Sequence, residues 1–226
     1  MVCILIPSTN IYSSDKNTKA IESDSFPGIN VGSRLQFGNY PFETDGTEKP
    51  IEWIVLEKYN DGTALIITRY AIDKAKFHDS QKAVRWKSSH LRNWLNGEFY
   101  KKAFSKKERR AIMNAKIKNE GNKEYNVKGT GKTRDRVFVL SIEEAEKYFN
   151  SDDSRRVYAT PYAAKGVSYS GTMWHWLRSP GSEADSAAEV GDLGEIDKIG
   201  YFVSRNGGTV RPAIIVRLKN LSVKFY

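Results

Sequence analysis

Residues 50–68, PIEWIVLEKYNDGTALIIT, decide the fold class. Two β-rich runs, residues 50–56 and 63–68, lie on either side of Asp61-Gly62. An Asp-Gly pair between two such runs predicts a β-hairpin, because both residues tolerate the positive φ angles that tight turns require. A weaker alternating pattern at residues 34–37 predicts a strand ahead of the hairpin. The ordered part of the chain therefore begins with strands joined by turns.

Helical signals are grouped in the middle of the chain. Apolar residues follow helical spacing over residues 91–99, directly after Ser88-Ser89, and we expect Leu91, Trp94 and Leu95 to lie in the core. Ser105 with Glu108, and Ser141 with Glu144, form capping boxes that predict helix starts, since each side chain satisfies a free backbone N–H of the other residue. We further predict a basic, Gly-rich loop at residues 119–135 and a strand at residues 136–140. A helix at residues 142–149 and a helical turn at residues 161–165 follow.

We predict a single α+β domain over residues 32–218. It consists mostly of short antiparallel strands, with helices in the middle and a loop-rich C-terminal third that ends in a strand at residues 210–218. Residues 1–31 are predicted as a flexible leader, because residues 8–30 are polar and lack a periodic apolar pattern. Residues 219–226 form a short tail.

The bulk composition excludes several classes of protein. The chain has 226 residues, and its single cysteine, Cys3, excludes an internal disulfide, a thiolate zinc site and paired-cysteine redox chemistry. This fits a cytoplasmic protein and leaves export and surface display open. No apolar run approaches the roughly 18 residues that a membrane span requires.

The net charge of +9 is distributed unevenly. Residues 82–136 contain 17 Lys and Arg against five Asp and Glu, whereas residues 182–197 contain six acids and no base. The basic stretch is typical either of a solvated helical face and loop or of a surface that binds nucleic acid or anionic partners. The acidic stretch is typical of a solvated loop or a recognition loop, and its spacing does not match the twelve-residue calcium loop.

The sequence contains no recognisable catalytic or metal-binding constellation. The segment GTGKT at residues 129–133 lacks the first glycine of a phosphate loop, since Asn126 occupies that position. His175 lies between Trp174 and Trp176, and on a strand these two indoles would share one face. We expect His175 to be satisfied by a hydrogen bond, and we predict a protein that uses no cofactor or metal and binds without catalysis.

Several passages resemble a bacterial domain family of uncharacterised function. They are PIEWIVL (50–56), SSHLRNWLNGEFYKKAFSKKE (88–108), VFVLSIEEAEKYF (137–149), and WHWLRSPG (174–181) with VRPAIIV (210–216). That family is similar to the C-type-lectin-like superfamily, in the branch shared with formylglycine-generating enzymes and the variable proteins of diversity-generating retroelements. The resemblance implies a compact core, a closing pair of terminal strands from residues 34–37 and 210–218, and a binding surface between Gly181 and Arg211.

Two activities of the superfamily are not implied for this chain. Formylglycine-generating enzymes use a cysteine pair, and calcium-dependent lectins use Glu-Pro-Asn or Gln-Pro-Asp with Trp-Asn-Asp, none of which occurs here. The resemblance instead implies a ligand-binding module, which includes the diversified variable proteins, that recognises a protein or glycan through residues 182–209. The predicted contact residues are Trp174, Trp176, Glu183, Asp185, Asp192, Glu195, Asp197, Tyr201, Arg205 and Asn206.

Two arginines border this surface. Arg178 precedes Ser-Pro and Arg211 precedes Pro, each at the end of an apolar strand. A guanidinium group has five donors in a fixed fork, which suits several carbonyl oxygens, so we predict that at least one of the two is buried and anchors the ends of the surface. A nucleic-acid or anionic-surface binder using residues 82–136 and an enzyme of unknown reaction are the alternative functions.

Overall fold

The computed structural model describes residues 28–167, 171–221 and 224–225. It is an α+β structure in which most strands pair antiparallel, as predicted. Most of the predicted leader, residues 1–27, lies outside the described residues. None of the helices in the described ranges is long and apolar enough to cross a membrane.

The strands and helices of the described residues have the following bounds. The strands are β1 (Arg34–Pro41), β2 (Glu48–Lys58), β3 (Thr63–Thr68), β4 (Asp73–Lys74), β5 (Ala115–Asn119), β6 (Gly131–Asp135), β7 (His175–Pro180), β8 (Ser186–Val190), β9 (Ile196–Phe202), β10 (Thr209–Val210), β11 (Ala213–Arg217) and β12 (Lys224–Phe225). The α-helices are α1 (His90–Trp94), α2 (Tyr100–Ala103), α3 (Ile142–Tyr148), α4 (Asp152–Arg155) and α5 (Pro161–Ala164).

The first sheet has the strand order β11-β3-β2-β1-β12. The predicted β2–β3 hairpin is confirmed: Gly62 has a φ of 78°, and the carboxylate of Asp61 accepts a hydrogen bond from the backbone N–H of Thr63 at 3.0 Å. The predicted pairing of residues 34–37 with 210–218 is wrong. Every residue of β3 is buried, so this strand needs neighbours on both edges. One edge pairs with β2, and the other pairs with β11.

The partner of β1 at its outer edge is β12 instead. Leu35 lies opposite Phe225, so two residues from the predicted tail close the sheet beside the first strand. Order also begins before the predicted boundary, since Ile29 is buried in the core.

The second sheet has the strand order β4-β10-β7-β8-β9. Residues 182–209, expected to be loop-rich, form much of it, because β8 and β9 continue from β7 as an antiparallel meander. The glycines suggested loops, but Gly200 marks a close strand approach: a Cβ atom there would lie 2.1 Å from the carbonyl oxygen of Ala187. The small side chains of β8 are buried, and this strand lies inside the sheet.

Three predictions for the middle of the chain need correction. Residues 119–135 are not one loop, because β5 and β6 pair along their whole length, with Ala115 opposite Asp135. Residues 136–140 do not form the predicted regular strand: Phe138 pairs with Ala213 in an isolated bridge, and the carbonyl oxygen of Leu140 accepts a hydrogen bond from the backbone N–H of Arg178 at 2.9 Å. The Ser105–Glu108 capping box forms, yet it opens only the 3₁₀ turn Glu108–Arg110, because the chain then pairs Ile112 with Val216.

The core is continuous between the two sheets, and its largest members are aromatic. Trp53 and Trp86 are fully buried, and each indole N–H has an acceptor, the carbonyl oxygen of Phe37 at 2.7 Å and the carboxylate of Asp135 at 2.9 Å. Trp94, expected in the core, is half-buried instead. The helical segment is continued by a π-helical turn, Leu95–Phe99, and the face that enters the core is lined by Leu91, Leu95 and Phe99.

Candidate functional site

An aromatic and acidic cluster lies at β8, β9 and the adjoining loops. Strand register puts Trp176 opposite Glu189 and Glu189 opposite Asp197. Directly opposed residues share a face of a sheet, so these three side chains project to the same side. We call the group formed around them the aromatic–acidic cluster; its members are Trp174, Glu189, Asp192, Glu195, Asp197, Tyr201 and Arg205.

The rings of the cluster pack edge to face. The Trp174 ring lies 4.9 Å from the ring centroids of both Trp176 and Tyr201, at angles of 82° and 62°. Trp176 is fully buried, and its indole N–H donates to the carbonyl oxygen of Ala75 at 2.8 Å. Trp176 therefore supports the cluster from the core and is not a contact residue, which corrects the sequence-based assignment. Trp174 and Tyr201 are half-buried and remain accessible.

The backbone leaves space for these rings through Gly208. A Cβ atom at Gly208 would lie 2.2 Å from the indole nitrogen of Trp176 and 2.7 Å from Cη2 of Trp174. The Arg205 guanidinium lies over the Tyr201 ring, 4.9 Å from its centroid. Arg205 is exposed and belongs to the short segment between β9 and β10.

Glu189 is the buried acid of the cluster. It is 3% exposed, and its Oε2 is buried without a hydrogen-bond donor among the described residues. Burial, followed by the negative charges of Asp197 and Glu195, raises the pKa of Glu189 to about 8, while Arg205 opposes the shift. The Glu189 carboxyl is therefore mostly protonated at neutral pH.

The turn between β8 and β9 holds the exposed acids Asp192 and Glu195. Its position is set by α4: Nε of Arg155 donates to the carbonyl oxygen of Gly194 at 2.8 Å. Gly194 has a φ of 92° and leaves no room for a side chain, since a Cβ atom would lie 1.8 Å from the carbonyl oxygen of Asp152. The two carboxylates are thus carried by a turn that is fixed to the body of the protein.

The structure brings together six of the ten predicted contact residues. Glu183 and Asp185 precede β8, at the opposite end from the acidic turn, and the Asp185 carboxylate accepts a hydrogen bond from Gln81 at 3.0 Å. Asn206 is exposed beside Arg205. Glu189 is the member that sequence reasoning left out of the contact set, although it is one of the six acids; its importance follows from its position opposite Asp197.

Both predicted anchors are buried and bonded to carbonyl oxygens. The Arg178 guanidinium donates to the carbonyl oxygens of Val139 at 2.9 Å and Lys118 at 3.0 Å, and forms an ion pair with Glu144. This one side chain joins β7 to β5, to α3 and to the segment that contains Val139.

Arg211 has a similar setting at the other border. It donates to the carbonyl oxygens of Thr68 at 3.1 Å and Arg155 at 3.2 Å, and it lies 5.1 Å from the Phe149 ring centroid. Burial lowers the pKa of Arg211 to about 10, so the group is charged at neutral pH.

His175 lies on the opposite face of β7 from the two tryptophans. It is buried, and the imidazole has a hydrogen bond with the backbone of Met173, whereas its Nδ1 has no partner among the described residues. Burial and then the charge of Arg211 lower the pKa of His175 to about 3. The imidazole is neutral at physiological pH and does not reach the aromatic–acidic cluster. Within the described ranges, no three His, Cys, Asp or Glu side chains converge to form a metal site.

The fold and the site define an α+β domain with one organised polar and aromatic surface. The chain belongs to the domain family of unknown function DUF6273, whose model matches residues 61–218 and thus covers the whole aromatic–acidic cluster. No curated protein matches the chain, and no solved structure matches it either.

Proposed function

We propose that the chain is a non-catalytic ligand-binding module that recognises a protein or glycan through residues 182–209 and Trp174. The observation that carries this proposal is the aromatic–acidic cluster, in which accessible rings stand beside a buried carboxyl without a donor. Sites on strands hold their side chains precisely, and aromatic residues and Arg supply much of the energy at binding surfaces.

A C-type-lectin-like scaffold is part of this proposal. It is supported by the closing pair of terminal strands, β1 with β12, and by a second sheet that carries the ligand surface late in the chain. The surface also suits diversification, because Asp192, Glu195 and Arg205 point outward while Val190 and Val203 are buried. In a diversified protein, sequences from related strains would vary at the three outward positions and stay constant at the two buried ones.

The direct test is a screen of glycans and displayed peptides with the full chain, followed by variants. Trp174→Ala removes an accessible ring of the cluster, and Tyr158→Ala removes an exposed ring outside it as the matched control. We expect the affinity of a specific ligand to fall about tenfold or more in Trp174→Ala, the loss typical of a contact anchor, and to be unchanged in Tyr158→Ala. Equal affinity in both variants would contradict the proposal.

The enzyme alternative rests on the same buried acid. A buried carboxyl with a raised pKa can act as a general acid, and Glu189 lies opposite a second carboxyl group, that of Asp197. A hydrolytic activity on a panel of chromogenic glycosides that disappears in Glu189→Gln would favour it.

The anionic-partner alternative rests on a groove lined by Ala83, Val84, Arg85, Lys87, Ser88 and Thr130. The hydroxyl of Thr130 is buried there without a partner among the described residues. A phosphate oxygen could accept from that hydroxyl and from Lys87, which makes this groove the position where nucleic acid would bind first.

A further inference from the structure

We infer that the aromatic–acidic cluster takes a cationic side chain, a guanidinium or ammonium group, from a basic peptide segment of a partner protein, and that Arg205 occupies part of this position when no ligand is bound. The inference rests on the proposed function and names the chemistry of its ligand.

The charge of the cluster favours a cationic ligand. The groups that act most strongly on Glu189 are the carboxylates of Asp197, Glu195 and Asp192, together with one cation, Arg205. The cluster therefore carries more acid than its own cation can balance. A cationic ligand would relieve this repulsion, whereas a neutral sugar would leave it unchanged.

One carboxyl oxygen of Glu189, Oε2, has no hydrogen-bond donor among the described residues. Buried polar atoms in proteins are almost always hydrogen-bonded, and an exception calls for an explanation. The Glu189 side chain is 3% exposed, its Oε2 has no donor in the described part of the chain, and it shares its face with Asp197. A guanidinium group offers several donors at once and can serve two carboxylates together.

Arg205 contacts the ring of Tyr201. The Arg205 guanidinium lies 4.9 Å from the ring centroid, so the ring already accepts a cation of the inferred kind. The guanidinium forms no hydrogen bond or ion pair with any residue of the described ranges, and the side chain is exposed. Such a contact is weak, and a ligand cation held by carboxylates as well can displace it.

A peptide is favoured over a free polyamine by the apolar neighbours of the cluster. Leu193, in the acidic turn, and Ile199, on β9 between Asp197 and Tyr201, are 62% and 58% exposed. Exposed apolar side chains beside a charged position are typical of a surface that binds a polypeptide.

The inference includes a dependence on pH. Glu189 is faced by Asp197 and Tyr201 from β9, by Asp192 and Glu195 from the turn, and by Arg205 from the following loop. Burial raises the pKa of Glu189 to about 8 in the free protein. A bound cation favours the ionised carboxylate, so binding must release a proton below this pH. The affinity should therefore rise between pH 7 and pH 9 and then level off.

The test uses the full chain and a fluorescein-labelled peptide of alternating Gly and Arg, measured by anisotropy at pH 7 and pH 9. A peptide with citrulline in place of Arg keeps the shape and removes the charge, and spermidine represents a free polyamine. The variants are Glu189→Gln, with exposed Glu48→Gln outside the proposed surface as its control, and Arg205→Gln, with exposed Arg217→Gln as its control. Circular dichroism establishes that each variant is folded.

We expect the Arg peptide to bind and the citrulline peptide not to bind. Arg205→Gln should bind roughly threefold to fivefold more tightly, the range of an exposed cation–π contact, and Arg217→Gln should not. At pH 9, the affinity of Glu189→Gln should be about tenfold lower than that of the parent, and its affinity should no longer depend on pH. Glu48→Gln should keep both the affinity and the pH dependence of the parent.

Equal binding of the Arg and citrulline peptides would overturn the inference, as would equal effects of Arg205→Gln and Arg217→Gln, which indicate general charge attraction. Tighter binding of spermidine than of the peptide would overturn the assignment to a polypeptide. A glycan ligand whose affinity falls in Trp174→Ala but is unchanged in Arg205→Gln would refute the inference and leave the proposed function intact. Ligands that respond to no variant within residues 182–209 would refute the proposed function itself.

Discussion

Glu189 lies on a strand whose five residues are all buried, and its charge is opposed by three neighbouring carboxylates. Its pKa is raised from 4.5 to about 8 in the folded chain, so folding favours the protonated form. The contribution of this group to stability is therefore fully present below about pH 4.5 and is lost as the pH rises towards 8.

The first prediction follows from this loss of stability at high pH. Glu189→Gln removes the ionised carboxyl, so its free energy of unfolding should exceed that of the parent by about 1–3 kcal/mol at pH 9 and should be similar at pH 4.5. Urea denaturation at the two pH values measures the difference, with Glu183→Gln as an exposed control. A variant that is less stable than the parent at pH 9 would show that Glu189 is stabilised by a donor.

Arg178 carries the second prediction. Its guanidinium serves two carbonyl oxygens and the carboxylate of Glu144, so Arg178→Ala leaves buried acceptors and an acid without a partner. We expect a loss of about 3–5 kcal/mol in the free energy of unfolding. Arg217, which is exposed, is the control, and its change to Ala should cost less than about 0.5 kcal/mol. Similar losses in both variants would mean that Arg178 adds nothing beyond surface charge.

At the scale of elements, two capping boxes allow a matched comparison. Ser141 caps α3 and is buried, and its partner Glu144 also holds Arg178; Ser151 caps α4 and is exposed. Ser141→Ala should cost about 2 kcal/mol and Ser151→Ala about 0.5–1 kcal/mol, the two ends of the usual range for N-caps. Thermal unfolding of both variants measures the difference, and the reverse order would contradict the link between the α3 cap and the Arg178 ion pair.

The elements that were predicted correctly are those formed by interactions between residues close together in the sequence. The β2–β3 hairpin follows from Asp61-Gly62, and α3 follows from the Ser141 capping box, each within a few residues. The β5–β6 hairpin was not predicted, because a polar segment of eleven residues separates its strands. Trp94 was placed too deep, because the π-helical turn that follows it has no signature in the spacing of apolar residues.

The sequence predicted where the site lies, but it did not predict which side chains of the site are buried. Six contact residues come together because they follow one another along a single meander. Which of them are buried depends on strand register, and the register shifts between Trp176 and Pro180 and again between Ala187 and Glu189. Shifts of this kind change the faces of all later residues, so the burial of Trp176 and Glu189 could not be read from alternation.

At the scale of the whole molecule, two sheets share one core, and the second presents the ligand surface. The excess of positive charge in residues 82–136 lies elsewhere in the sequence, and some of these cations have partners within the protein. Arg85 donates to the carbonyl oxygens of Lys128, Val84 and Ala184, and Arg92 pairs with the buried carboxylate of Asp135. These two guanidinium groups have internal partners, which reduces the number of cations free to meet phosphate.

The last prediction separates the two surfaces. We expect the full chain to bind generic double-stranded DNA only weakly at 50 mM salt and not measurably at 150 mM salt, because a few unspecific phosphate contacts are lost steeply as counterions accumulate. The double variant Arg85→Gln and Lys87→Gln removes the cations of the groove, and the double variant Lys106→Gln and Lys107→Gln removes two exposed charges elsewhere. Anisotropy titrations should give the same weak binding for both variants. Micromolar binding at 150 mM salt that only the groove variant loses would make the basic surface the functional one and displace the ligand-binding proposal.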